Sequence, residues 1–180
     1  FDDLLSWSAI GARTTESQIH RELASGISTA VGFKNGTGGT IDMAVNAVEA
    51  SIRPHQFLGC DANGNICSIR TKGNPYCHII LRGGARGPNY HEEVVANTGQ
   101  TLRDRGLPPN IVIDFSHGNS SKQHKRQIIV CADVCKQIAS GSTMIRGVMV
   151  ESNLIEGKQN ICDTPLCYGK SITDACVHLE

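Results

Sequence analysis

Six side chains sit where apolar runs give way to loops: Arg13, Lys34, Arg82, His117, Glu151 and Asp174. Arg13, Lys34, Arg82 and His117 close the runs SWSAIGAR, AVGFK, CHIILR and IVIDFSH. Glu151 follows IRGVMV, and Asp174 lies within SITDA. Arginine offers a planar fork of donors that matches carboxylate or phosphate, and lysine a point charge. Arg82 precedes Gly83-Gly84, where backbone N–H groups can approach an anion closely. One imidazole and two carboxylates suit manganese, iron, cobalt or zinc better than calcium. Taken singly, a cation at a strand end usually just reaches solvent, and a lone histidine is usually a hydrogen-bonded structural residue. Six such groups on one face point instead to an anionic, phosphorylated substrate bound with a divalent ion. His20, His55, His78, His91, His124 and His178 lack such company and read as structural or exposed.

The elements that must position these groups alternate in type. Thr15 to Gly26 is predicted as a helix, with Thr15 as its cap, Gln18 reaching back as in a capping box, and Ile19 and Leu23 as its buried stripe. AVGFK is a strand, NGTGGT a loop, and Thr40 to Ile52 a helix with Ile41, Ala44, Val45, Val48 and Ile52 on one face. Between residues 57 and 70, two short apolar runs flank Asn63-Gly64, a strong hairpin signal. CHIILR, a helix from Glu92 to Arg105, IVIDFS, a helix from Gln123 to Ala139 and IRGVMV complete the pattern. Strands alternating with helices imply a parallel sheet with right-handed crossovers. A doubly wound sheet and a (β/α)8 barrel both fit. No GxGxxG fingerprint follows the first strand, which argues against a dinucleotide-binding fold. Ionisable groups at nearly every strand end favour a barrel, although only about five strands are countable.

The totals agree with one globular domain spanning residues 1–180. Seventeen basic residues balance seventeen acidic ones, and 39% of the chain is apolar. Zero net charge argues against a nucleic-acid or membrane surface. No signal peptide opens the chain and no apolar run spans a bilayer, so the expectation is a cytoplasmic protein. Eight cysteines without a CxxC read as small buried thiols in a reducing compartment, Cys131 and Cys135 lying four apart on a helix with Val134 and Ile138. Cys162 and Cys167 flank a loop that a bridge could close.

Six ordered segments carry a resemblance: GARTTESQIHRELASG, VGFKNGT, HIILRGG, DFSHGNSSKQ, GVMVESNLIEG and YGKSITDAC. Together they resemble type I 3-deoxy-D-arabino-heptulosonate 7-phosphate (DAHP) synthases, which catalyse the first step of the shikimate pathway towards aromatic amino acids. The resemblance implies a (β/α)8 (TIM) barrel, here an incomplete one of about five parallel strands plus the hairpin. It implies a transferase that condenses phosphoenolpyruvate with erythrose 4-phosphate in the presence of a divalent metal (manganese, iron, cobalt or zinc). Arg13 and Arg82 would hold the phosphate of phosphoenolpyruvate, and Lys34 its carboxylate. Gly11, Ala12 and Asp174 would border the substrates. His117, Glu151 and Asp174 would bind the metal, with Lys34 and His117 the catalytic pair. Ser28, Phe57, Gly59 and Ile69 fall at positions of a feedback-inhibitor pocket for an aromatic amino acid. Glycine at position 59, where phenylalanine-sensitive members have serine, leans towards tyrosine. The implied assembly is a homo-oligomer, a dimer or tetramer.

The departures are specific. The family's fourth metal ligand, a cysteine in a Gly-Pro-Cys context, is absent, as is the Lys-Pro-Arg-Thr clamp for erythrose 4-phosphate. The match begins at the family's fourth strand, so these residues correspond to its C-terminal half. Residues 1–180 alone are therefore expected to lack ordinary turnover. Two alternatives stay open: a non-catalytic unit that binds phosphate, metal or an aromatic amino acid, and an inert half-barrel that associates through its strand edges.

Overall fold

The computed structural model describes residues 4–179; residues 1–3 and 180, the ends of the predicted domain, lie outside the described residues. The element order is β1 (Trp7–Ile10), α1 (Gln18–Gly26), β2 (Ala30–Lys34), α2 (Asp42–Ser51), β3 (Gln56–Cys60), β4 (Ile66–Arg70), β5 (His78–Leu81), α3 (Glu92–Asp104), β6 (Ile111–Asp114), α4 (Gln127–Ala139) and β7 (Ile145–Met149). Short strands β8 (Ser152–Asn153), β9 (Ile155–Lys158), β10 (Lys170–Ser171) and β11 (Val177–His178) follow. Strands β1, β2, β5, β6 and β7 form one parallel sheet in that order. Among the described residues, the outer edges of β1 and β7 pair with no other strand. The sheet is curved: Trp7 and Val148, from its two edge strands, line one concavity of about 600 Å³ together with His78 and Val112.

Burial explains which runs became strands. Every residue of β5 and β6 is buried, as expected for central parallel strands covered on both faces. Phe33, Ile79, Leu81, Ile111 and Ile113 form the core, and α2 closes over it with Ala44, Val45, Ala47 and Val48. The hairpin β3–β4 is antiparallel, with Phe57 opposite Ile69 and Gly59 opposite Cys67. Asp61 Oδ1 accepts from the N–H groups of Asn63 and Asn65, and Gly64 takes φ +83°, so the turn forms where Asn63-Gly64 marks it.

Three expectations are corrected. Helix α1 starts at Gln18, its N-cap Ser17 makes no side-chain cap bond, and Gln18 donates to Glu22 instead of reaching back. Thr15 is buried outside the helix, and its hydroxyl lies 2.7 Å from the Lys34 carbonyl. Ile19 and Leu23 are exposed, while Ala24 and Ser25 are buried. Hydrogen bonds fix this roll: Arg21 Nε donates to Thr15 O, Ser51 Oγ to Arg21 O, and Asn74 Nδ2 to Ala24 O. They outweigh the apolar pattern because a buried carbonyl left unpaired costs about 1–3 kcal/mol. The cysteines are the third correction. All eight are free, and Cys77 is the buried one, with Cys60, Cys135, Cys162 and Cys167 exposed. On α4, Val134 is buried but Ile138 is exposed.

Burial pushes the Cys77 thiol up to about 12. In the folded protein at pH 8, iodoacetamide should therefore modify the exposed thiols and spare Cys77 until urea unfolds the chain, a pattern readable by peptide mass mapping.

Candidate active site

In a parallel sheet all strands deliver their following loops to one side. Here that side holds a cavity of about 440 Å³ lined by Gly11, Ala12, Arg13, Lys34, Arg82, His117 and Asp174, among others. Each side chain is placed by a local device. After β1 the chain turns on the Gly11 carbonyl, which accepts from the N–H groups of Thr14 and Thr15 and so sets Arg13 at the rim. Thr15 then ties this turn to the end of β2 at Lys34. Arg82 follows β5, its N–H donating to Asn35 Oδ1 (2.8 Å) and its carbonyl accepting from Gly118 N (2.9 Å).

A buried amide network lies beneath these loops. Asn35 Nδ2 donates to Gly83 O, Asn89 Nδ2 to Asn35 Oδ1, and Asn119 Nδ2 to Leu81 O and Asp114 O. Gly83 N donates to Asn89 Oδ1 and Asn89 N to Asn119 Oδ1. The loops after β2, β5 and β6 meet backbone to backbone: a Cβ on Gly83 would lie 2.4 Å from Gly118 C, and one on Gly84 2.3 Å from Gly39 N. Glycine is required there because any side chain would separate the loops that carry the charges.

His117 adopts φ +52°, a left-handed conformation uncommon for a residue with a side chain. Lys122 N, donating to His117 O at 2.8 Å, and the Gly118–Arg82 bond hold it there. Glu151 follows β7, and its peptide is clamped from α4: Gln127 Nε2 donates to Glu151 O, and Glu151 N to Gln127 Oε1, both at 3.0 Å. Asp174 comes from the C-terminal segment, which β11 brings back by pairing parallel with β8. Donor atoms of His117, Glu151 and Asp174 lie within 4.8 Å of one another. Glu151 Oε2 is buried without a hydrogen-bond partner, so this N/O donor set fits a divalent cation.

The electrostatics show two cations crowded beside several carboxylates. The half-buried Arg82 guanidinium is held below its ordinary value chiefly by burial, with repulsion from Arg13 adding to it and Asp114, Asp174 and Glu151 opposing it. Asp114, which the sequence motifs did not single out, ends β6 with its side chain 2% exposed. Burial pushes its carboxyl up, but His117 and Lys34 outweigh that and hold it below the usual carboxylate range. Its Oδ2 lies 2.7 Å from Lys34 Nζ and 2.9 Å from His117 Nδ1, the second contact being short but out of line for a hydrogen bond. A charged residue closing an otherwise apolar buried run was the available signal, because buried carboxylates need partners.

The six residues expected to share a face thus converge. The effector-pocket residues form a separate group: Phe57, Gly59 and Ile69 share the half-buried face of the hairpin. Exposed Ser28 follows α1 near the hairpin base, where Ser25 Oγ and Thr71 Oγ1 lie 2.8 Å apart. The remaining histidines are mainly structural: His78 accepts from Trp7 Nε1 at 3.0 Å, and His55 bonds Ala50 O.

The family model described as "DAHP synthetase I family" matches residues 1–180. The chain belongs to the DAHP synthetase I family. It is 59% identical over 179 residues to the Phe-sensitive phospho-2-dehydro-3-deoxyheptonate aldolase of Escherichia coli (strain K12), and 56% identical to the Trp-sensitive enzyme of Salmonella typhimurium. Each alignment covers 99% of this chain and 51% of the relative. The solved structure of phospho-2-dehydro-3-deoxyheptonate aldolase from Francisella tularensis SCHU S4 superposes with a TM-score of 0.95 at 50% identity, over 99% of this chain and 52% of that one. The chain therefore spans about half the length of the relatives it matches, and its five parallel strands form an open half-barrel of the TIM-barrel class. Among the described residues, no helix is long and apolar enough to cross a membrane.

Replacing Gln127 with leucine removes both bonds to the Glu151 peptide and leaves its N–H without that acceptor. We expect unfolding stability in urea to fall by about 1–3 kcal/mol with the slope unchanged.

Proposed function

We propose that this chain supplies the phosphoenolpyruvate site and three metal ligands of an enzyme that condenses phosphoenolpyruvate with erythrose 4-phosphate. The observation that carries this reading is the convergence of Arg13, Lys34 and Arg82 on one cavity beside the His117–Glu151–Asp174 donor cluster. Arg13 and Arg82 grip the phosphate of phosphoenolpyruvate, and the crowding of their charges is relieved when that anion arrives. Lys34 pairs with the carboxylate, and Gly11 and Ala12 let the substrate approach the backbone of the first loop. A divalent metal bound by His117, Glu151 and Asp174 would act as a Lewis acid towards the aldehyde of erythrose 4-phosphate; manganese, iron, cobalt and zinc all suit these donors. A carbon–carbon bond forms between C3 of phosphoenolpyruvate and the aldehyde carbon, and the aldehyde oxygen takes up a proton. One water adds at C2, and carbon–oxygen cleavage releases phosphate. The residues of this chain contribute mainly by placement and charge compensation, since both substrates are anions.

We assign residues 1–180 to a single partial-barrel domain and the hairpin at 57–70 to effector control, with tyrosine as the effector. The complete enzyme works as a homo-oligomer, a reading supported by the apolar outer faces left by Ile19 and Leu23 on α1 and by Ile128 and Ile129 on α4. Phosphorylated metabolites as substrates fit a cytoplasmic setting.

Calorimetry with phosphoenolpyruvate and Mn²⁺ tests the anion site. R13Q and R82Q should each weaken phosphoenolpyruvate binding about 10- to 100-fold, as loss of a charge-assisted hydrogen bond does. Binding unaffected by either change would exclude this assignment.

A Cβ at Gly59 would lie 2.2 Å from Ile69 Cδ1, so Gly59→Ser must displace Ile69 within the hairpin face. In the complete enzyme, G59S should weaken inhibition by tyrosine and strengthen inhibition by phenylalanine. Inhibition curves for the two amino acids that do not move apart would refute the tyrosine assignment.

A further inference from the structure

The anion and metal assignments leave one buried charge without a role. Asp114 Oδ2 touches Lys34 Nζ from β2 and His117 Nδ1 from the loop after β6, so one oxygen joins the anion half of the cavity to the metal half. The carboxylate cannot swing away. Its Oδ1 accepts from Ser116 N at 2.9 Å, and Asn119 Nδ2 holds its main-chain carbonyl at 2.8 Å. The His117 ring is held through its backbone on one side and packs against this carboxylate on the other. Its backbone is fixed at φ +52° by the bonds of Gly118 and Lys122, and its Nδ1 faces Asp114. That leaves Nε2 directed towards Glu151, 3.5 Å from Oε1.

We propose that Asp114 is a positioning residue: its carboxylate sets the His117 ring so that Nε2 completes the donor cluster, and the same oxygen anchors Lys34 at the anion subsite. The inference rests on the metal and substrate reading above. The physical reason is general. A histidine that binds a metal through one nitrogen carries its proton on the other, and a carboxylate set against that nitrogen favours this tautomer by its charge and limits how far the ring can turn. Lysine alone would not require a fully buried carboxylate, because its flexible stem could reach a partner at the surface.

The test uses Mn²⁺ as the probe. Asp114→Asn keeps the side-chain volume and removes the charge. Its affinity for Mn²⁺, titrated by electron paramagnetic resonance of the free ion, should fall about 10- to 100-fold. At saturating Mn²⁺, pulsed resonance should show the imidazole nitrogen coupling of the parent protein, and the variant should lose it. A loss of charge felt only at a distance would lower affinity and leave that coupling intact, which would overturn the positioning role. D114N leaves Lys34 as an unpaired, largely buried ammonium, so K34M/D114N, which removes both charges, is measured beside it and should lose the coupling too. Parental affinity or coupling in either variant would overturn the inference alone. A parent protein that binds no Mn²⁺ would overturn the metal reading, and the inference with it.

Discussion

At the loop end of a parallel sheet, each strand leaves backbone groups that no neighbouring strand can satisfy, and Asn35, Asn89 and Asn119 supply the missing partners. All three are buried, and between them they bond the main chain at Gly36, Leu81, Arg82, Gly83, Asn89 and Asp114. The bonds cross from the end of β2 to those of β5 and β6. An unpaired buried amide is costly, so each member holds the others in place, and the network behaves as one rigid unit. The charged side chains above it are precise because their backbone is.

That rigidity also explains the glycines. With amides tying the loops together from beneath, the chain above has no room for a Cβ at Gly83, Gly84 or Gly118. The close approach brings Arg82, Lys34 and His117 into one cavity from segments far apart in sequence. It also accounts for strain at His117, whose φ of +52° is tolerated because hydrogen bonds on both sides of it over-determine the turn.

Much of this arrangement was legible in the sequence. Runs such as CHIILR and IVIDFSH are too uniformly apolar for a half-exposed strand, and a parallel sheet sends all that follows them to one side. Order alone therefore puts Arg82 and His117 on a common face. Asn63-Gly64 gave the hairpin because few other pairs accept its turn. The roll of α1 was not legible, since Ile19 and Leu23 carry the right spacing for burial and lose to hydrogen bonds that no periodicity records. The asparagine network was hidden for a related reason. Asparagine in a loop reads as a turn former, and its long-range partners exist only after folding. Asp114 carries no motif of its own, although a carboxylate among buried residues must find a cation.

The charge balance of the site follows from these constraints. Arg13, Lys34, Arg82 and Lys122 supply four positive charges around the cavity, and Asp114, Glu151 and Asp174 three negative ones, so the site is close to balanced. Balance does not mean that the charges cancel locally. The two guanidiniums stand together on one side, and Glu151 and Asp174 stand together with His117 on the other, so the two halves carry opposite charge. Asp114 crosses the divide, touching Lys34 and His117 through one oxygen. Charges of both signs can therefore stand as neighbours without leaving the cavity strongly charged. At the short separations involved, an unbalanced charge would cost several kcal/mol even at an effective dielectric constant of about 20. The fold meets that constraint by recruiting its cations and carboxylates from different loops onto a single rigid floor.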